Sequence, residues 1–387
     1  MAVGQSRITV RPVVTRRDLE RFIRVPFWLH QHQPNWVPPL IADRRRFLNR
    51  KKNPFFKHGD AQYFLCERDG DVLGRITAQF DEHWDEHQGG NDGMFGFFES
   101  AEDPGVAAAL VDAARGWLAD HGRERMIGPM DFTTNDECGV LIDAFDEPPI
   151  VLTPWHPPYY LPLLESTGMT KIVDTQMWSL MLGDMHPDAA GYGFSRLVER
   201  SAELCETRNR VTVRNMRRKD IEAEILRFTE VYNDAWSDNW GFVPVTEDDV
   251  AFQVRNLRPL LDENWAYVAE RDGEVLGAGL SLPDVNQVLA RMGGRLLPFG
   301  WLTFLLGKRK IDRVRIFALG VKSGYRHLGI DAALYVKHLR SGRSDENPIW
   351  RGEAGWILET NRAMNKGMVA MGGTVSRRYR FLEVPVR

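Results

Sequence analysis

The chain of 387 residues has 50 Lys and Arg against 53 Asp and Glu, a net charge of −3, and 43% hydrophobic residues. That is a globular profile, long enough for two cores of ordinary size, without the basic footprint that nucleic-acid binding leaves. Three cysteines, Cys66, Cys138 and Cys205, with no C-x-x-C pair, exclude a disulfide framework and a zinc ribbon, and no uninterrupted run of about 18 apolar residues offers a membrane span.

The stretch up to Val14 has no apolar core of signal-peptide length, so a reducing cytoplasm is the expected compartment. A β-hairpin follows: apolar residues 63–66, the octet Glu67-Arg68-Asp69-Gly70-Asp71-Val72-Leu73-Gly74, and apolar residues 76–80, with Asp-Gly at the turn. Asp81, His83, Asp85, Glu86 and His87 come next. They lack a second ligand group at a recognised spacing, so a solvated loop is expected there and no metal. A strand over 94–98 leads through Glu99-Ser100-Ala101-Glu102-Asp103-Pro104 into an alanine-rich helix over 106–119; acids and a proline cap such a helix well and bind anions poorly. A strand at 126–128, a helical stretch at 159–166 and an extended run at 171–180 complete this half. Residues 183–193, with Pro187 and Gly191, form the expected linker, and a helix over 194–208 fits either side of it.

The same order then repeats. Glu270-Arg271-Asp272-Gly273-Glu274-Val275-Leu276-Gly277 matches the first octet at seven of eight positions and again joins two apolar strands, 266–269 and 278–282. Strand 313–321, helix 330–339, strand 352–358, a helix after Asn361 and a last strand over 374–381 follow. One unit repeated in one element order argues for duplication, with domains at 1–190 and 191–387.

In the second copy Leu319-Gly320-Val321 ends a strand, and after Lys322 the run Tyr325-Arg326-His327-Leu328-Gly329-Ile330-Asp331 opens the next helix. A glycine-containing turn of this form presents backbone N–H groups at a helix N-terminus, where the partial positive charge receives phosphate oxygens. The segment resembles the acyl-CoA phosphate loop of the GNAT acyltransferase superfamily. It departs from that pattern at Asp331, a normally small position where a carboxylate would repel a diphosphate. Across almost its whole length the chain is similar to a bacterial family of tandem GNAT-like proteins, related in turn to bacterial ceramide synthases. The residues that carry this likeness are Asn35-Trp36-Val37-Pro38-Pro39, Asn53-Pro54-Phe55-Phe56, Gly96-Phe97-Phe98-Glu99, Tyr159-Tyr160, Asn239-Trp240-Gly241-Phe242-Val243-Pro244 and Pro283-Asp284-Val285-Asn286-Gln287.

The resemblance implies an α/β (α+β) fold of two tandem units, each a mixed, mostly antiparallel sheet flanked by helices, with a splayed central pair of parallel strands. It implies acetyl-CoA or a longer acyl-CoA as co-substrate, held in the second half by Leu319, Gly320, Val321, Lys322, Tyr325, Arg326, His327, Leu328, Gly329 and Ile330. Asn361 is a further candidate there, with helix capping its plainer role. The first half, without a phosphate loop, is expected to be degenerate, a scaffold or an acceptor-binding partner.

Acyl transfer to an amine needs the amine freed of its proton, a stabilised oxyanion and an acid for the departing thiolate. Glu353 and Glu359, on and just past the strand at 351–358, are the candidate bases, each also readable as a solvated surface acid. The helix after Asn361 has no tyrosine, which leaves Tyr379 as the candidate acid. Trp236, Asn239, Trp240 and Phe242 in the loop over 235–244, with Asn286 beyond it, are candidates for acceptor binding; core packing is the competing account of the aromatic residues. Residues 296–306 read Leu-Leu-Pro-Phe-Gly-Trp-Leu-Thr-Phe-Leu-Leu between Arg295 and Lys308-Arg309-Lys310. Too short to span a bilayer, this segment suits an interfacial or acyl-chain-binding element, or a buried connection against the first half.

The expected activity is therefore acyl-CoA-dependent N-acyltransfer to a small-molecule amine, or to a lipid amine at the inner face of the membrane, touched through Leu296 to Lys310. Asp331 and the missing helix tyrosine motivate a rival, a non-catalytic acyl-CoA-binding protein. Aminoacyl transfer from tRNA conflicts with the acidic balance, and no sequence feature reports an oligomeric state.

Overall fold

The computed structural model describes residues 7–182, 196–257, 260–342 and 348–387; the expected linker at 183–193 lies outside the described residues. The first half runs β1 (Thr9–Pro12), α1 (Arg16–Leu29), α2 (Ile41–Phe47), β2 (Gly59–Arg68), β3 (Asp71–Asp81), α3 (Glu82–Gln88), β4 (Asp92–Ser100), α4 (Pro104–Asp120), β5 (Arg125–Gly128), β6 (Val140–Leu141), α5 (Tyr160–Ser166) and β7 (Thr170–Met181). The second runs α6 (Arg196–Thr207), β8 (Thr212–Asn215), α7 (Ile221–Ala235), α8 (Glu247–Leu257), β9 (Ala266–Arg271), β10 (Glu274–Pro283), α9 (Asn286–Leu289), α10 (Gly300–Gly307), β11 (Arg313–Val321), α11 (Ile330–Gly342), β12 (Arg351–Leu358), α12 (Arg362–Ala370) and β13 (Thr374–Pro385).

The repeated octet is a repeated turn. Asp69 and Gly70 have φ of 53° and 92°, and Asp272 and Gly273 have 54° and 85°. Both central residues of a tight hairpin turn must take positive φ, which Asp and Gly tolerate best. Apolar periodicity does the rest: Val106, Leu110, Ala114 and Leu118 recur at four-residue spacing on α4 and are all fully buried against the first sheet half.

The strands form one continuous sheet in the order β1-β2-β3-β4-β5-β13-β7-β12-β11-β10-β9-β8, with β6 also paired to β13. Two features of that order position the site. First, the closing strands are exchanged: β7 pairs with β12 of the second half, and β13 pairs with β5 of the first. Each half of the sheet thus draws one strand from across the 190/191 boundary. Second, each half contains one parallel pair that separates. In the first, β4 and β5 pair only from Asp92↔Arg125 to Met94↔Ile127; in the second, β11 and β12 pair only from Arg313↔Arg351 to Ile316↔Ala354.

Both departing strands leave at a glycine with positive φ, Gly128 (152°) and Gly355 (153°). A Cβ at Gly128 would stand 2.5 Å from the Phe95 carbonyl oxygen, and one at Gly355 would stand 2.5 Å from Met177 Sδ. Only glycine lets the backbone pass there. On β11 the pairing with β10 jumps from Leu280↔Ala318 to Ser281↔Ile316, so Phe317 is the extra residue of a bulge at the mouth of the gap.

Candidate active site

A cavity of about 160 Å³ opens beside the separated ends of β11 and β12. Phe317 and Arg315 reach it from β11, Gly355, Trp356 and Leu358 from β12, and Phe228, Thr229 and Tyr232 from α7. Trp236, Asn239, Trp240 and Phe242, the acceptor-side residues expected from the sequence, all line it. The first half closes it with Thr134, Asn135, Cys138 and, through the exchanged β7, Thr175.

That first-half wall also fixes the aromatic loop. The Thr134 hydroxyl donates to the Gly241 carbonyl (2.5 Å), the Asn135 amide to Val243 (3.1 Å) and the Gln88 amide to Phe242 (2.7 Å), while the Gly241 N–H donates back to Gln88 (3.1 Å). Tyr232 donates its hydroxyl to Asn135 Oδ1 at 2.8 Å. Burial pushes the Cys138 thiol well above its ordinary value, which keeps it an inert wall group.

The polar equipment is unusual in one respect. Among the described residues, no Asp, Glu or His lines the cavity. Three buried polar atoms on lining residues have no hydrogen-bond partner: Thr175 Oγ1, Trp356 Nε1 and Arg315 Nε. A buried donor left unpaired costs about 1–3 kcal/mol, so an acceptor oxygen that reached these atoms would be held favourably. Arg315 is otherwise anchored, its Nη1 donating to the Val151 and Leu152 carbonyls at 3.0 and 2.5 Å and its guanidinium lying 4.7 Å from the Trp356 ring centre. Burial pulls its pKa down to about 10, so it stays charged at neutral pH.

The three side chains expected to carry proton transfer stand elsewhere. Glu353 is buried in an ion-pair chain: its Oε1 takes Arg313 Nη1 at 3.0 Å, its Oε2 lies 3.4 Å from Arg377 Nε, and Arg313 continues to Asp284 at 2.7 Å. Asp284 in turn accepts the Val151 N–H at 2.8 Å, which ties the two halves together. Glu359 pairs with Lys171 at 2.8 Å and accepts the Asp174 N–H at 3.1 Å. Tyr379 is fully buried, donates to the Pro154 carbonyl at 3.1 Å, and meets the Trp356 ring edge-on, one layer behind the cavity. Asn286 also serves the inter-half seam, donating to the Pro149 carbonyl at 3.0 Å. Asn361 caps α12, accepting the Met364 N–H at 3.1 Å.

The loop between β11 and α11 has the strand–turn–helix setting expected of a phosphate loop. Gly329 is left-handed (φ 73°), and a Cβ there would meet Ser201 of α6 at 2.7 Å, so packing demands this glycine as well. Arg326 and His327 are exposed, and Arg326 makes only a 3.3 Å bond to the Ala235 carbonyl. Lys322 and Tyr325 both reach Glu274, at 3.4 and 3.3 Å, and Leu328 accepts from Asn209. Ile330 and Val321 are buried, Leu319 lines a small apolar cavity near Tyr335, and Gly320 lies flush under the Trp236 ring. The backbone suits an anion; the carboxylates do not. Asp331 stands exposed in the first turn of α11, and Asp234 accepts the Ser323 N–H at 2.5 Å, occupying the loop's first amide.

In the first half the equivalent gap is filled. The Met130 N–H bonds the Phe95 carbonyl at 2.8 Å and Phe97 N–H bonds Asp131 Oδ1 at 2.8 Å, zipping the chain after β5 back onto β4. Beyond them Glu99 is buried with the Tyr160 hydroxyl (2.6 Å), His30 Nε2 (2.7 Å) and Arg75 (3.4 Å). Burial alone would raise the Glu99 carboxyl, but His30, Arg75 and the Tyr160 hydrogen bond outweigh it and hold it to about 2. Asp103 caps α4 by accepting the Gly105 N–H, with Pro104 in the first turn, so no anion-binding turn forms.

The stretch from Asp81 is not the expected solvated loop: Asp81 is buried and caps α3 by accepting the His83 N–H, and His58 Nδ1 stands 2.7 Å from it. The two imidazoles stack at 3.9 Å and 12°. One ligand atom from each of His58, Asp81 and His83 lies within 4.8 Å of the others, a spacing that could hold a metal ion.

An exchanged pair of units, each with a separating parallel strand pair and one with a strand–turn–helix loop, defines the tandem GNAT fold. Solved structures agree. The chain is similar to a tandem GNAT protein from the clavulanic acid biosynthesis pathway (TM-score 0.58, 14% identity, covering 98% of this chain and 99% of that one) and to a GCN5-related N-acetyltransferase from Sphaerobacter thermophilus (TM-score 0.51, 13% identity, 98% and 96%). It is 35% identical over 382 residues to the bacterial ceramide synthase of Caulobacter vibrioides, covering 97% of both chains. It is 34% identical over 380 residues to protein YghO of Escherichia coli, covering 97% of this chain and 94% of that one. The chain belongs to the family of these two proteins. No family model matches it.

Proposed function

We propose that the chain is an acyl-CoA-dependent N-acyltransferase whose acceptor is an amphipathic, lipid-type amine. The observation that carries this reading is the cavity at the separated β11–β12 pair, apolar over most of its wall, with Thr175 Oγ1, Trp356 Nε1 and Arg315 Nε unpaired on it. A thioester carbonyl gains negative charge as an amine attacks, and preset donors at that oxygen stabilise the transition state more than the ground state. The aromatic loop of Trp236, Trp240 and Phe242 supplies the apolar wall for an acceptor chain. Arg326 and the turn at Gly329 would hold the diphosphate of the donor. The relative's name, bacterial ceramide synthase, points to the same acceptor class.

In this reading Glu353, Glu359 and Tyr379 support the site through their ion pairs and packing, and the acceptor must arrive as the neutral amine. The rate should then climb with pH along the amine's own titration, without a limb from a protein carboxylate. Thiol release from acetyl-CoA and from a long-chain acyl-CoA, measured over a panel from small soluble amines to sphingoid bases, tests it. Turnover confined to long-chain amines supports the reading, and equal turnover of small soluble amines removes the lipid acceptor. A second reading, a non-catalytic acyl-CoA-binding protein, is favoured by Asp234 and Asp331 at the loop; acyl-CoA binding without thiol release on any amine would select it.

A further inference from the structure

Seven of the thirteen exposed large apolar side chains among the described residues fall between 295 and 310. No residue of α10 is buried, and Leu297 and Phe299 are each 75% exposed, Leu306 66%. The structure turns the segment outward and contradicts a buried connection against the first half. It is nevertheless held in place. The Ile41 N–H donates to the Gly294 carbonyl at 3.1 Å, a Cβ on Gly307 would stand 2.8 Å from a Val288 methyl, and the Trp301 indole is tied to the Pro298 carbonyl at 2.9 Å. Phe304 packs on the apolar cluster to which the cavity residues Tyr232, Trp236, Phe317 and Trp356 also belong.

Charge is arranged around this patch. From Val285 to Ile311 the sequence has five basic residues, Arg291, Arg295, Lys308, Arg309 and Lys310, and no acidic one, in a chain whose net charge is −3. All five are exposed, and none has an ion pair among the described residues. Other exposed arginines do pair with acids, Arg45 with Glu20 and Arg50 with Asp60 among them.

We propose that residues 295–310 dock the protein on an anionic lipid bilayer, with Leu297, Phe299, Trp301 and Leu306 in the headgroup–acyl boundary and the basic collar on lipid phosphates. An exposed helix with a tryptophan, long apolar side chains and flanking Lys and Arg is built for that boundary, since apolar burial and headgroup attraction act together. A second copy of this chain is a poorer occupant: a two-fold contact through the patch would bring the two basic collars face to face. The surface stands apart from the acyl-transfer reading, because it rests on exposure and charge alone.

Flotation of the full chain with vesicles tests it. The protein should float with vesicles of phosphatidylglycerol and phosphatidylcholine, less in high salt, and stay behind with phosphatidylcholine alone. Phe299→Glu with Leu306→Glu should abolish flotation, and Lys308→Glu with Arg309→Glu and Lys310→Glu should lower partitioning about a hundred-fold, with thermal unfolding unchanged in both. Failure of the wild type to float on anionic vesicles, flotation of the apolar variant, or a dimer in lipid-free buffer that Phe299→Glu dissolves would each overturn the proposal. Flotation needs no turnover, so intact flotation with no thiol release on any amine would sink the acyl-transfer reading alone.

Discussion

The two halves share a skeleton and differ in what fills it. In the first, the chain at 130–132 zips onto β4 past the last parallel pair, and Glu99, His30, Tyr160 and Arg75 pack the space beyond. In the second, Arg315 is tied back to carbonyls at the edge of the gap, Phe317 bulges, and a cavity remains. The helix starts differ in the same sense, Asp103-Pro104 closing one and the Arg326–Gly329 turn opening the other. Duplication supplies a frame, and side-chain volume at the separation decides whether that frame is a scaffold or a site.

The largest effect that can break this comparison lies on the seam between the halves. Glu353→Ala leaves Arg313 and Arg377 buried with one carboxylate fewer, and should cost about 3–5 kcal/mol in denaturant unfolding. Glu359→Ala, on a partly exposed pair, should cost about 1 kcal/mol or less. Similar small losses for both would mean that the buried chain does not hold the halves together.

Next come the unpaired donors. Thr175→Val keeps shape and removes one donor, Trp356→Phe removes one donor along with part of the ring, and each should lower kcat by about a hundred-fold. Glu99→Gln, in the filled gap, should leave kcat within about three-fold while lowering the melting temperature. A loss of turnover in Glu99→Gln as deep as in Trp356→Phe would make the first half a working site.

A smaller effect compares two histidines, the half-buried His156 of the first half and the buried His338 of the second. Burial pushes His156 and His338 down to about 4, so the fold keeps both neutral. The unfolded chain takes up these protons near pH 6.5. Between about 6.5 and 4 the unfolded state binds more protons, and stability present above 6.5 is lost as the pH falls toward 4. His156→Gln and His338→Gln should each flatten the slope of melting temperature against pH in that window, and unchanged slopes would contradict the burial account. The smallest effect belongs to Asp331→Asn, which should tighten acyl-CoA binding by a few-fold in titration calorimetry by removing one like charge from the loop.

Legibility followed the range of the interactions. The two hairpins were plain because Asp-Gly at positive φ is local chemistry, and so was the cap at Asn361. The aromatic loop was legible as a cluster, Trp236 to Phe242, on consecutive sequence. Thr175, Asn135 and Thr134 were not, since they enter the cavity through a strand exchange and a first-half loop that no local pattern announces. Arg315 could have been found, because it alternates with Phe317 on a strand already expected. The surroundings of Glu353 were hidden for the same long-range reason: Arg313 and Arg377 flank it only after the four strands β11, β12, β7 and β13 assemble.

Acyl-CoA titration by calorimetry tests the asymmetry of the halves most directly. One equivalent should bind, lost in Arg326→Glu and retained in Arg68→Glu, where Arg68 pairs with Asp103 at the closed helix start. Two equivalents, or binding that survives Arg326→Glu, would contradict the account.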